Sequence, residues 1–137
     1  MSKISDKIIG IRKYLDELST IIPKEYAIYK EDIIIKAACE RYFELIIEST
    51  IDLATLIIKN ERFSFPEDKR VFNFLYKKKI IDNNLAERLQ DAKGMRNILS
   101  HRYGEIDNRT VFESIKKELL IDIKEFLEKT EDKYLKE

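Results

Sequence analysis

The stretch that most restricts the fold of this chain is "EDIIIKAACERYFELIIESTIDLATLIIKN", from Glu31 to Asn60. It contains neither glycine nor proline, and Ile33, Ile34, Ala37, Tyr42, Ile46, Ile47, Ile51, Ala54, Ile57 and Ile58 recur at helical spacing on more than one stripe. The pattern predicts one long helix from about Lys30 to Asn60. A helix apolar over so much of its surface has to be packed on two sides. Either it is the central element of the fold, or one side meets another subunit.

Shorter amphipathic segments flank it. Ile4, Ile8, Ile11, Leu15, Leu18 and Ile22 repeat at three or four and predict a first helix ended near Pro23. After the connection "ERFSFPED", Pro66 suits the first turn of a short helix carrying Val71, Phe72, Leu75 and Tyr76. Asp82 can cap a fourth helix with Leu85, Leu89, Ala92 and Leu99 on one side, and Gly104 fits the residue just past its end. Thr110 with Glu113 reads as a capping box for a fifth helix that buries Phe112, Ile115, Leu119, Ile123, Phe126 and Leu127. The tail "EKTEDKYLKE" is polar and is expected to fray. With no repeat, linker or low-complexity tract, the 137 residues read as a single all-α domain, a bundle of four to five helices.

Composition narrows the chemistry. Three glycines and two prolines are too few turn residues for an all-β domain. Lys plus Arg and Asp plus Glu number 26 each, so no global field draws the chain to nucleic acid, and any such contact needs a local patch. Cys39 stands alone in apolar surroundings, which excludes a disulfide framework and points to a buried structural thiol in a reducing cytoplasm. No stretch has the roughly 18 uninterrupted apolar residues of a spanning helix, so neither export nor a membrane role is expected. Glycine-rich phosphate loops, nucleophile motifs and Glu-x-x-His metal spacing do not occur.

One cluster remains, in "GMRNILSHRYGEID", Gly94 to Asp107. At about 100° per residue, Arg96 and Tyr103 return to one side after two turns, and Asn97 and His101 form a neighbouring row. Lys93 and Arg102 make the segment locally basic, so it could hold a phosphate. A simpler reading competes: Arg and His in a last helical turn gain about 0.3–1 kcal/mol from the helix dipole, with no active site required.

The spacing Arg96, four residues, His101, one residue, Tyr103 resembles the R-x4-H-x-Y signature of HEPN-domain proteins, specifically the HepT toxins of HepT–MntA toxin–antitoxin pairs. The resemblance extends over about residues 4–130, through "ERYFELIIESTIDLATLII" and "FPEDKRVFNFLYKKKIIDNNLAERLQDAKGMRNILSHRYGEID". It implies a HEPN-type helical bundle that forms a homodimer and acts as a ribonuclease on tRNA or mRNA, needing no metal or other cofactor. Catalytic Arg96 and His101 from both protomers would line a cleft at the twofold axis, with Asn97 orienting the phosphate or the imidazole. One chain supplies one histidine and a dimer supplies two, which suits a reaction wanting a general base and a general acid. The two-sided long helix would then contribute its second side to the dimer surface. The resemblance further implies that Tyr103 is where an MntA-like nucleotidyltransferase antitoxin attaches AMP. Arg102 and Asp52, the latter in "STIDLA", are weaker site candidates. The competing reading is a non-enzymatic helical partner of a minimal nucleotidyltransferase.

Overall fold

The computed structural model describes residues 2–67, 70–101 and 107–135. Helix α1 spans Lys3–Ile21; its first turn is capped by Ser2, whose side-chain oxygen accepts from the Ser5 N–H at 3.0 Å. Ile4, Ile8, Ile11, Leu15 and Leu18 are buried, as their spacing predicts. The helix stops where Ile22, the residue before Pro23, turns extended.

The long segment divides differently from expectation. A short helix, α2 (Tyr26–Glu31), comes first, and α3 (Ile33–Asn60) starts only after Asp32. The break lies at Asp32, whose Oδ1 accepts from the backbone N–H groups of Ile34 and Ile35, both at 3.0 Å. Those bonds make Asp32 an N-cap with extended backbone, which ends one helix and begins the next. Sequence reading missed α2, because one turn with a single buried residue, Tyr29, has no periodicity to detect. Tyr29 packs against Phe112 at a ring-centroid separation of 5.1 Å.

Helix α3 is the central element. It packs against α1, α2, α4 (Val71–Lys77) and α5 (Asn83–His101), so its two-sided apolarity is largely satisfied inside one chain. Cys39, Phe43, Ile46, Ile47, Leu53, Ala54, Ile57 and Ile58 are all buried along it. Its start departs: Ile33 and Ile34 stand 80% and 81% exposed, and Ala37 is exposed as well. Burial pushes the Cys39 thiol up to about 11, which fits the expected structural role.

Two boundaries differ from the sequence reading. Pro66 lies in the connection and α4 begins later, at Val71. The last rod begins at Asn108, and the Thr110–Glu113 capping box is not made: Thr110 Oγ1 donates to Asp107 Oδ2 at 3.2 Å, while Glu113 pairs with Lys117 at 2.7 Å. This rod comprises α6 (Asn108–Glu113), a π-helical segment (Ser114–Leu119) and α7 (Leu120–Tyr134). Counted as one, it makes six rods among the described residues, against the four to five expected. The tail is helical as far as Tyr134, further than its polarity suggested. Thr130 is buried with its hydroxyl donating to the Phe126 carbonyl at 2.8 Å, and Glu131 pairs with Arg12 of α1.

The Asp82 cap stands where expected, its Oδ1 accepting from the Leu85 N–H at 2.8 Å. Arg88 then ties α5 to α7 by pairing with buried Asp122 and with Glu125, the latter at 3.0 Å. Both contacts hold α5 in place along the core, so its C-terminal turns are carried by a fixed rod. No helix among the described residues is long and apolar enough to cross a membrane.

Candidate active site

Arg96, Asn97 and His101 occupy the last two turns of α5. Arg96 leans inward onto α3. Its side chain is 22% exposed, one terminal guanidinium nitrogen lies 3.8 Å from Glu48 Oε1, and its Nε is buried with no hydrogen-bond partner. One turn further on, the Ser100 hydroxyl donates to Glu44 Oε2 at 2.7 Å. Position numbers rise along α5 as they fall along α3, so the two helices run antiparallel here. Their paired residues are spaced four apart on both helices, one turn each.

Asn97, Ile98 and His101 lie on the exposed side of the same two turns. Five helical steps turn His101 about 140° away from Arg96 around the axis. Arg96 is therefore seated in the α3–α5 groove, while His101 stands on the outer side at the helix end.

The remaining candidates fall elsewhere. Asp52, one turn beyond Glu48 on α3, pairs across to Lys7 of α1 at 3.6 Å with its side chain 63% exposed. It belongs to the α1–α3 edge and makes its ion pair there. Arg102, Tyr103 and the proposed helix stop Gly104 lie outside the described residues. The locally basic character expected of the segment is offset at Arg96 by Glu48. Sequence reasoning missed Glu44, Glu48 and Ser100. The available signal was the i, i+4 carboxylate pair in "FELIIEST", which matters only once an antiparallel partner with a matching i, i+4 pair is recognised.

Comparison with known proteins turns this geometry into a family. Residues 11–130 match the profile of the family described as "Ribonuclease HepT-like", which is most of the chain. The protein belongs to the HepT-like ribonuclease family. A candidate RNase of Archaeoglobus fulgidus is 33% identical over 86 residues, covering 63% of this chain; the match spans 64% of that relative's length, a little under two thirds. Among solved structures, the tri-AMPylated HEPN toxin of Shewanella oneidensis in complex with an MNT antitoxin is similar with a TM-score of 0.88 at 22% identity. That alignment covers 96% of this chain and 99% of the toxin. The toxin–antitoxin MntA–HpeT, in a tyrosine-to-alanine mutant, gives a TM-score of 0.86 at 20% identity over 96% and 99%. The Bacillus subtilis cytosolic protein YutE, of unknown function, gives 0.78 at 17% over 97% and 92%. At these identities the structural likenesses establish a shared HEPN-type bundle. Of the R-x4-H-x-Y spacing in the sequence, Arg96 and His101 lie on the last two turns of α5, and Tyr103 is outside the described residues.

Proposed function

We propose that this HepT-like chain is a metal-independent endoribonuclease toxin, acting on tRNA or mRNA as a homodimer and silenced by AMP on Tyr103. The observation that carries the reading is the seating of Arg96 and His101 on the last two turns of α5 in a chain of this family.

The chemistry follows from the side chains. One His101 takes the proton from a ribose 2′-hydroxyl, whose oxygen attacks the adjacent phosphorus. The His101 of the second protomer gives a proton to the departing 5′-oxygen, leaving a 2′,3′-cyclic phosphate and a 5′-hydroxyl. Arg96 neutralises the extra negative charge of the pentacovalent phosphate. It does not act as the base, because a guanidinium does not lose its proton in proteins. Asn97, exposed one turn before His101, orients the phosphate or the imidazole.

Tyr103 is the switch in this proposal. A nucleotidyltransferase transfers AMP from ATP to its hydroxyl oxygen, the hydroxyl proton being lost and pyrophosphate leaving, which adds phosphate charge and bulk two residues after His101 in the chain. The AMPylated Shewanella toxin with its MNT antitoxin supports this reading by its fold.

Two observations favour the non-enzymatic alternative, a regulatory partner of a nucleotidyltransferase. Net charge is zero and Glu48 already faces Arg96, whereas a nuclease for long RNA gains affinity from unopposed cations. Incubation with RNA in EDTA separates the two: cleavage leaving cyclic phosphate ends supports the toxin, and intact RNA supports the partner.

A further inference from the structure

We propose that Glu44 and Glu48 of α3 are positioning residues for the α5 site. Glu48 holds the Arg96 guanidinium in the α3–α5 groove, and Glu44, through Ser100, holds the turn that ends in His101. The inference rests on the ribonuclease reading above.

The last turn of a helix is the part most prone to fray, because its carbonyls lack partners within the helix. A general acid or base placed there loses alignment unless something outside the helix ties it down. Ser100 precedes His101 directly, and its bond to Glu44 links two residues 56 positions apart. A carboxylate acceptor makes the bond charge-assisted, and 2.7 Å is a short, well-formed distance. The anchor sits on a packed helix: Phe43 is 1% exposed, and Ile46 and Ile47 are fully buried, so the backbone that carries Glu44 is fixed to the core while the bond itself lies at the surface.

Glu48 acts on Arg96 differently. At 3.8 Å the pair lies beyond hydrogen-bond range, so the carboxylate directs the guanidinium without occupying its donors. Nε is buried and makes no hydrogen bond, which leaves the group able to turn its fork toward a phosphate. The arrangement draws Arg96 to one place before substrate arrives and opposes RNA binding slightly through its own charge.

The two ties therefore have different kinetic signatures. Glu44→Ala and Ser100→Ala should each lower kcat about threefold to tenfold with KM unchanged, and the double variant should be no worse than either. Glu44→Gln keeps a carbonyl acceptor for the Ser100 hydroxyl and should restore kcat to near the wild-type value. Glu48→Gln should lower kcat about tenfold while also lowering KM, because an anion beside the phosphate site has been removed. A merely structural role would not lower both.

The experiment measures kcat and KM of the full-length wild type, these variants and His101→Ala on one RNA, beside amide hydrogen exchange of the His101 turn. Faster exchange in Glu44→Ala and Ser100→Ala but not in Glu44→Gln, together with the kinetic pattern above, is the expected result. Unchanged kcat in Glu44→Ala, Ser100→Ala and Glu48→Gln, in an enzyme that does cut RNA, would overturn the positioning role. A wild type that leaves RNA intact while the exchange pattern appears overturns the ribonuclease reading, and reduces the two ties to structural contacts.

Discussion

Arg96 on α5 and Glu48 on α3 face each other at 3.8 Å, close enough for mutual attraction and too far for a hydrogen bond. Arg96 is thus held in the groove by charge, and in the proposed mechanism the planar fork of its guanidinium is the part that meets the phosphate. A lysine would keep the charge and lose the fork. Arg96→Lys is expected to fold normally and to lower the rate of RNA cleavage at least about tenfold, with Arg96→Ala lower still. Equal rates for the lysine variant and the wild type would show that only the charge is used.

The tie between α5 and α7 predicts a stability effect far from the site. Asp122 is buried and its charge is met by Arg88, which also pairs with Glu125. Arg88→Met leaves that carboxylate without its cation, and because Arg88 is itself partly exposed the cost is expected near the lower end, about 2–3 kcal/mol. Chemical denaturation measures it. Adding Asp122→Leu should recover most of the loss, since removing both partners avoids the stranded charge.

In the core, Phe72 of α4 stands edge-on to Phe126 of α7 at 5.8 Å, and both are fully buried. Phe72→Ala is expected to cost about 3–5 kcal/mol through lost burial and the cavity left behind. An unfolding midpoint unchanged from wild type would contradict the packing described for α4.

Asp82 gives the acid side of the stability curve. Its carboxyl is held below its ordinary value of 3.8, chiefly because it accepts from the Leu85 N–H, with Lys129 assisting. A carboxylate whose folded value is lowered adds stability that is present above its unfolded value and is lost as pH falls through the lowered one. Asp82→Asn keeps an acceptor for the cap and removes the titration. The variant should therefore lose less stability than wild type between about pH 5 and pH 3, as followed by thermal melts.

Cys39 offers a check on the central helix. Its thiol is buried and pushed up to about 11 by desolvation first and by Glu40 second. A thiol-specific reagent at about pH 8 should leave the native protein unmodified and react promptly once it is denatured. Rapid labelling of the folded protein would mean that α3 is less covered than its contacts indicate.

How much of this was legible in the sequence varied with the kind of signal. The long helix and the buried faces of α1 and α7 follow from periodicity, because on α1 and α7 the apolar residues that repeat are ones that pack; the central place of α3 was one of two alternatives the sequence left open. The Asp82 cap was legible from one residue in the right place. The α2 turn was not, since its one buried residue, Tyr29, is held by a tertiary contact with Phe112; nor was the missing capping box, where Thr110 bonds to Asp107 and Glu113 takes Lys117 one turn on as a local partner. The motif on α5 was legible as residue types at a spacing. Its surroundings were not, because Glu44 and Glu48 acquire meaning only when α3 and α5 are laid antiparallel.

His101 is the only histidine in the chain, so one substitution removes every imidazole from the proposed dimer. The most direct measurement is the rate of RNA cleavage in EDTA by wild type and by His101→Ala, with helical circular dichroism recorded on both. Cleavage by the wild type, loss of cleavage in the variant and unchanged helicity are the expected results. Undiminished cleavage by a folded His101→Ala protein would contradict the account.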